Sequence, residues 1–169
     1  MSDAKPVSTP IDKGVKMVKA TSPNSQEEIE EMKEIRYQNA IGSLMYASIG
    51  TRPDITHAVS RASLLAINPG GQHWIAVKRI SRYLKGTSSL KLGFTKSKDS
   101  SLKVFCDADG GSDEDDRRSY TGYLFVLAGA AVSWASRKQS TVALSTAEAE
   151  YMALTETSKE ALWIKETVN

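Results

Sequence analysis

Cysteine is almost missing from this chain: a single residue, Cys106, occurs in 169. That excludes an internal disulfide and fits a reducing compartment. Long apolar runs are missing too. None approaches the ~18 residues of a membrane span, and the N-terminus lacks a signal-peptide pattern. The expectation is an intracellular protein with no membrane partner. Histidine occurs only at His57 and His73. These two lack metal-ligand spacing to each other, which argues for packing or capping roles. Aspartate shows the most telling gap, because none follows Asp116.

What is present is enough to fold. A hydrophobic content of 40% supports a core, and the length suits one domain or two small ones. The net charge of +2 conceals an asymmetry. Residues 51–98 hold nine Lys/Arg against one acid, Asp54, whereas residues 99–169 hold seven Lys/Arg against twelve acids. A basic block beside an acidic block fits a polyanion grip next to a cation site, and it equally fits ordinary surface variation between two subdomains.

Residues 1–26, with Pro6, Pro10 and Pro23 and many small polar residues, lack apolar periodicity and read as an extended linker. Gln26 to Arg36 is charged and begins a helix. Tyr37, Ala40, Ile41, Leu44, Met45, Ser48 and Ile49 follow helical spacing, which predicts an amphipathic helix over 37–49. A second helix starts at Thr51-Arg52-Pro53-Asp54, and a third covers 72–85, with Lys78, Arg82 and Lys85 on its outer face. The pattern then turns to alternation. Strands are expected at Leu90–Phe94, Leu102–Cys106, Tyr120–Leu127 and Ala131–Ser136, as an antiparallel meander. Ser145-x-x-Glu148 matches a capping box and opens a long helix. Its inward stripe is expected to run through Glu150, Leu154, Thr157, Ala161, Ile164 and Val168. The fold class is α+β: a small helical subdomain, then a meander with one long helix.

Two acids stand out. Asp107 ends the strand Lys103-Val104-Phe105-Cys106, and Glu150 lies one turn into the helix that follows Ser145. A pair of carboxylates on packed elements suits a hard divalent ion such as Mg²⁺ or Mn²⁺, which prefers oxygen ligands. Two such ions can activate a water and stabilise a leaving oxygen at a phosphodiester. The competing reading is structural: a strand-end turn acid and a first-turn acid favoured by the helix dipole. The run Asp113, Glu114, Asp115 and Asp116 reads as a solvated loop that pairs with Arg117 and Arg118. Cys106, inside a strand, reads as a small buried residue.

Residues 37–169 closely resemble the end of the Pol polyprotein of copia-type LTR retrotransposons. The matching stretches are Tyr37 to Tyr46, Thr51-Arg52-Pro53-Asp54-Ile55, and His73-Trp74 with Ala76 to Thr87. They continue with Cys106-Asp107-Ala108-Asp109, Asp116-Arg117-Arg118-Ser119 with Thr121-Gly122-Tyr123, Ser133-Trp134 and Lys138 to Tyr151. Lys5-Pro6-Val7-Ser8-Thr9-Pro10 is similar to the family's stretch after the polymerase palm.

The resemblance implies three segments: a linker at 1–36, a thumb- or connection-like end of the reverse transcriptase at 37–88, and the N-terminal half of a ribonuclease H-like domain at 89–169. It implies Asp107 and Glu150 as the first two catalytic and metal-binding carboxylates, with Asp109 a weaker metal candidate. It also implies Mg²⁺ or Mn²⁺ in the intact parent and an RNA–DNA hybrid or duplex as partner, alongside the rest of the polyprotein. Lys78, Arg79, Arg82 and Lys85 become candidate nucleic-acid contacts, though a solvated face is the ordinary reading of such a stripe. Two departures matter. Gly110 stands where the family has Trp, and the acids of the later strand and helix are absent, as is the polymerase Asp pair. Little or no activity is therefore expected from the chain alone, and a non-catalytic nucleic-acid-binding or interaction remnant is the alternative.

Overall fold

A computed structural model describes all residues except 1–3, 13, 16, 24, 97–100 and 169. The chain divides into two compact units, residues 1–91 and 92–169.

In the first unit the helical spacing becomes α1 (Gln26–Lys33), α2 (Tyr37–Gly50), α3 (Thr56–Ser63) and α4 (Gly71–Gly86). Ser25 caps α1, its hydroxyl accepting from the Glu28 N–H at 3.2 Å. Pro53 opens a short 3₁₀ turn, Pro53–Ile55, and α3 follows only after it. Tyr37, Ile41 and Leu44 of α2 meet Ala58, Val59 and Ala62 of α3 and Val77 and Ile80 of α4, around Ile55 and Met32. The buried Tyr37 hydroxyl donates to the Ala62 carbonyl at 2.9 Å, and burial pushes its pKa up to about 12.

Arg52 ties the 3₁₀ turn to the end of α4. Its guanidinium forks onto Asp54 at 2.9 and 2.7 Å, donates to Thr87 Oγ1 at 2.5 Å, and lies 5.6 Å from the Tyr83 ring centre. That fork holds the Asp54 carboxyl below the usual range against the opposing effect of burial.

The segment expected as an extended linker has little regular backbone structure among its described residues, yet Val18 and Pro23, and Met32 of α1, are buried. Linker composition hid this because the contacts are made by isolated apolar residues and by backbone carbonyls, which carry no periodicity.

The second unit holds β1 (Lys103–Ala108), β2 (Tyr120–Leu127) and β3 (Ala130–Lys138), antiparallel in the order β1-β2-β3. The β2–β3 hairpin turns through Ala128 and Gly129, both at positive φ (52° and 83°), the pair of left-handed residues of a type I′ turn. The strand expected at Leu90–Phe94 does not form. Leu90 and Phe94 are exposed, and the adjoining Thr95 N–H makes one bond, to the Ala128 carbonyl at 2.8 Å.

α5 (Thr146–Val168) packs on β1 and β2. Ser145 and Glu148 cap it reciprocally: the Glu148 N–H donates to Ser145 Oγ at 3.1 Å, and Glu148 Oε2 accepts from the Leu144 N–H at 2.6 Å. The buried stripe of α5 runs through Ala149, Ala153 and Thr157. This corrects the expected stripe by one position at its start, since Glu150 and Leu154 are exposed. Small alanines let the helix approach the sheet closely, and Thr157 satisfies its hydroxyl on the Ala153 carbonyl at 2.8 Å. The side chain of Val168 lies outside the described residues.

Candidate functional site

Asp107 pairs with Gly122 across the β1–β2 ladder, and Ala108 pairs with Thr121. Opposed residues of an antiparallel pair share a face. Thr121 lies under α5, because the Gln139 amide donates both to Thr121 Oγ1 and to the Ala149 carbonyl, at 3.1 and 3.0 Å. Asp107 therefore belongs to the face away from α5. Glu150 is placed by the helix period. Met152 and Glu156 line a cavity of about 350 Å³ together with Ala135 and Arg137 of β3. At 100° per residue Glu150 leaves α5 on the flank opposite Met152, which is the flank toward β1. Asp107 and Glu150 thus belong to opposite faces of the sheet, Glu150 on the flank of α5 toward β1. Both are exposed.

Their neighbours differ from them in one respect. Among the described acids from Asp107 to Glu160, all others are engaged. Asp109 Oδ1 accepts from the Tyr120 N–H at 2.6 Å and its Oδ2 from the Ser112 hydroxyl, so Asp109 latches the loop after β1. Asp113 is buried, 2.7 Å from Lys138 Nζ, which also reaches Asp116 at 2.9 Å. Glu148 caps α5, Glu156 pairs with Lys159, and Glu160 accepts from Ser133 at 2.6 Å. Glu114 and Asp115 also have interactions. Asp107 and Glu150 have no hydrogen bond or ion pair to any described residue.

The acidic loop is in part as expected: Glu114 and Asp115 are exposed and Arg118 reaches Asp116 at 3.6 Å, but Asp113 is buried, and Lys138, from the end of β3, pairs with it and with Asp116. Burial pushes the Asp113 carboxyl up, but Lys138 and the N–H groups of Asp115 and Asp116 outweigh it and hold the carboxyl below the usual range. Burial likewise pulls Lys138 down, and its bonds to both acids more than reverse that. Sequence reading missed the partner because Lys138 lies 25 residues beyond Asp113 and only the hairpin brings it back. Cys106, expected to be buried, is exposed on the edge strand. The described residues hold no cluster of three or more potential metal ligands, so Asp107, Asp109 and Glu150 do not form a ready-made triad.

In the first unit the basic face of α4 has an intramolecular cover. Arg79 donates to the Thr9 carbonyl and hydroxyl at 3.1 and 3.0 Å and pairs with Asp12 at 2.7 Å. Arg82 donates to the Lys5 carbonyl at 2.7 Å, and Lys85 to that of Ala4 at 3.0 Å. Lys78 is exposed. His73 is fully buried and acts as a cap: its Nδ1 accepts from the Gly70 N–H at 2.9 Å, and its Nε2 faces the Val18 carbonyl at 3.0 Å. That pair of partners selects the Nε2–H tautomer.

No family model and no solved structure matches the chain. Curated relatives do. The Retrovirus-related Pol polyprotein from transposon TNT 1-94 of Nicotiana tabacum is 52% identical over 165 residues, which is 98% of this chain and 12% of the relative. The corresponding polyprotein from transposon RE2 of Arabidopsis thaliana is 39% identical over 97% of this chain and 11% of its own length. Secreted RxLR effector protein 161 of Plasmopara viticola is 47% identical over 133 residues, 79% of this chain and 94% of the relative. The sequence is of retroelement origin. More narrowly, the chain belongs to the Pol polyprotein family of copia-type LTR retrotransposons, and it spans about a tenth of the length of the transposon polyproteins it matches.

Proposed function

We propose that this chain is the reverse transcriptase–ribonuclease H junction of a copia-type Pol polyprotein. In this reading residues 37–88 belong to the thumb or connection of the polymerase, and residues 89–169 open the ribonuclease H domain. Asp107 and Glu150 supply the first two carboxylates of a two-metal site that hydrolyses RNA in an RNA–DNA hybrid. One observation carries the reading: these two exposed acids are left without partners on two packed elements while every other described acid around them is engaged. Unpaired carboxylates suit a hard cation. They amount to half a ligand set, so Mg²⁺ would be held at Asp107 and Glu150 only with oxygen donors from outside the described residues.

The test is hybrid cleavage by the parental polyprotein. Asp107→Asn or Glu150→Gln lowers it by at least about 100-fold, beyond the 10–100-fold cost of losing an outer-shell partner. The same substitutions leave the melting temperature of the isolated chain unchanged, because neither acid has a contact to lose. Full activity in either variant refutes the assignment. Mg²⁺-dependent cleavage by the isolated chain, abolished by Asp107→Asn, overturns its incompleteness.

A second reading, a non-catalytic interaction or nucleic-acid-binding protein, is favoured by a different observation. The relative matched over 94% of its own length carries the name of a secreted effector. Duplex binding that weakens steeply with salt and with Lys78→Glu supports this reading.

A further inference from the structure

Three cations of α4 are met by oxygen atoms of the segment before Ile11 and by one acid just beyond it. Arg79 donates to the Thr9 carbonyl and hydroxyl and pairs with Asp12, Arg82 donates to the Lys5 carbonyl, and Lys85 donates to the Ala4 carbonyl. Spaced three residues apart, the cations line one side of the helix. Asp12 is the charged acceptor in that set, and the rest are neutral oxygens. An anionic phosphate oxygen adds a Coulomb attraction that a carbonyl lacks.

The cover is held unevenly. Ile11 and Met17 pack against the core of the helical unit, and Val18 is buried. Ahead of Ile11, Ala4, Lys5 and Thr9 meet α4 through the exposed hydrogen bonds just given. Pro6 lies against Gly86, where an added Cβ comes within 2.9 Å of the Pro6 Cβ. Exposed polar contacts add little net stability, since water replaces them well. Residues 4–10 can therefore leave α4 while the anchor from Ile11 onward stays in place. Lys78, four residues before Arg82, is exposed and has no partner among the described residues, so it stands open to an incoming anion.

We propose that residues 4–10 are a built-in competitor for phosphate: they occupy the basic face of α4 in the free chain, and duplex nucleic acid binds there by displacing them. This is regulation of the surface named in the nucleic-acid-binding reading above, and it rests on that reading. Lys78 takes the first phosphate. Arg79, Arg82 and Lys85 then exchange carbonyls for phosphates as the segment lifts.

A reversible lock tests this without changing any charge. Pro6→Cys with Gly86→Cys, in a Cys106→Ser background, places two thiols at the contact. A disulfide needs Cβ atoms about 3.5–4.5 Å apart, so the segment gives by roughly 1 Å. A labelled RNA–DNA duplex is titrated at low salt, by fluorescence anisotropy, against oxidised and reduced protein. The reduced form should bind at least about tenfold more tightly. Its log–log salt slope should be steeper by about three, one for each uncovered cation. By linkage, saturating duplex makes the bridge harder to close by the same factor in a glutathione redox buffer. Circular dichroism should be the same in both forms, which separates lost binding from unfolding. Equal affinity in the two forms, or a bridge indifferent to duplex, overturns the competition and leaves the nucleic-acid reading standing. No binding by the reduced form at low salt removes that reading, and this inference with it. Thiols that fail to oxidise show that the Pro6 position does not lie on the end of α4, which also overturns it.

Discussion

Replacing Lys138 by Met isolates the acidic loop at the end of β3. Among the described residues Lys138 Nζ is the cation paired with the buried Asp113 carboxylate, at 2.7 Å, and both side chains are largely covered (17% and 8% exposed). Removing one partner of a buried pair costs about 3–5 kcal/mol, because a charge is left uncompensated. Asp113 keeps other donors: the N–H groups of Asp115 and Asp116 at 2.9 and 3.3 Å and the Tyr120 hydroxyl at 3.4 Å. Those donors place the expected loss near the lower end, about 3 kcal/mol.

The pH dependence follows from the directions of the shifts. In wild type the Asp113 carboxyl titrates below its unfolded value of about 3.9. It therefore contributes stability above that value, and the contribution disappears as pH falls through the lower folded pKa. Without Lys138, burial dominates and raises the same pKa. The penalty is then full at neutral pH and is relieved as acid protonates the group. Urea unfolding followed by circular dichroism at pH 7 and pH 4 measures both effects. The gap between wild type and Lys138→Met should narrow at pH 4, and Asp113→Asn/Lys138→Met should recover much of it at pH 7. A deficit under about 1 kcal/mol, or one equal at the two pH values, refutes the reasoning.

Two further outcomes test the helical unit. Gly70→Ala sets a Cβ 2.3 Å from the Thr21 carbonyl oxygen, so the segment before α1 must shift. The expected loss in thermal or urea unfolding is about 1–3 kcal/mol, and an unchanged midpoint contradicts the tight approach. Arg52→Lys keeps the charge but loses the fork onto Asp54 and the reach to Thr87. It should cost about 1–2 kcal/mol in the same assay and raise the Asp54 pKa seen by carboxylate NMR, and neither change is expected if only net charge matters.

Elements with a strong period were legible from the residues. α2 and α4 follow the apolar spacing of Tyr37–Ile41–Leu44 and Val77–Ile80, and Ser145 with Glu148 announced α5 by capping chemistry. The meander was legible from turn residues around Gly129. What failed depends on contacts distant in sequence. Leu90–Phe94 alternates like a strand, yet its pattern alone gives it no ladder. Glu150 sits 100° from Ala149 on the helix wheel, and the choice between them as the inward residue depends on which side chain is small enough to touch the sheet. Asp107 and Glu150 were legible as a candidate pair by motif. Their lack of partners, and the latch role of Asp109, emerged only from the three-dimensional arrangement.

The described residues from Ala4 to Val18 that cover α4 form a strap, and this strap also has a mechanical meaning. Its contacts run in order, from Ala4 at Lys85 and Lys5 at Arg82, through Thr9 and Asp12 at Arg79, to Val18 at His73. The strap thus travels antiparallel to α4, and residue 4 lies beside the very end from which residue 87 departs. Tension applied between those two points loads the contacts one after another, as in opening a zip, and never all together in shear. The unit should peel at low force from Lys85 toward His73, with the buried histidine the last clasp to release.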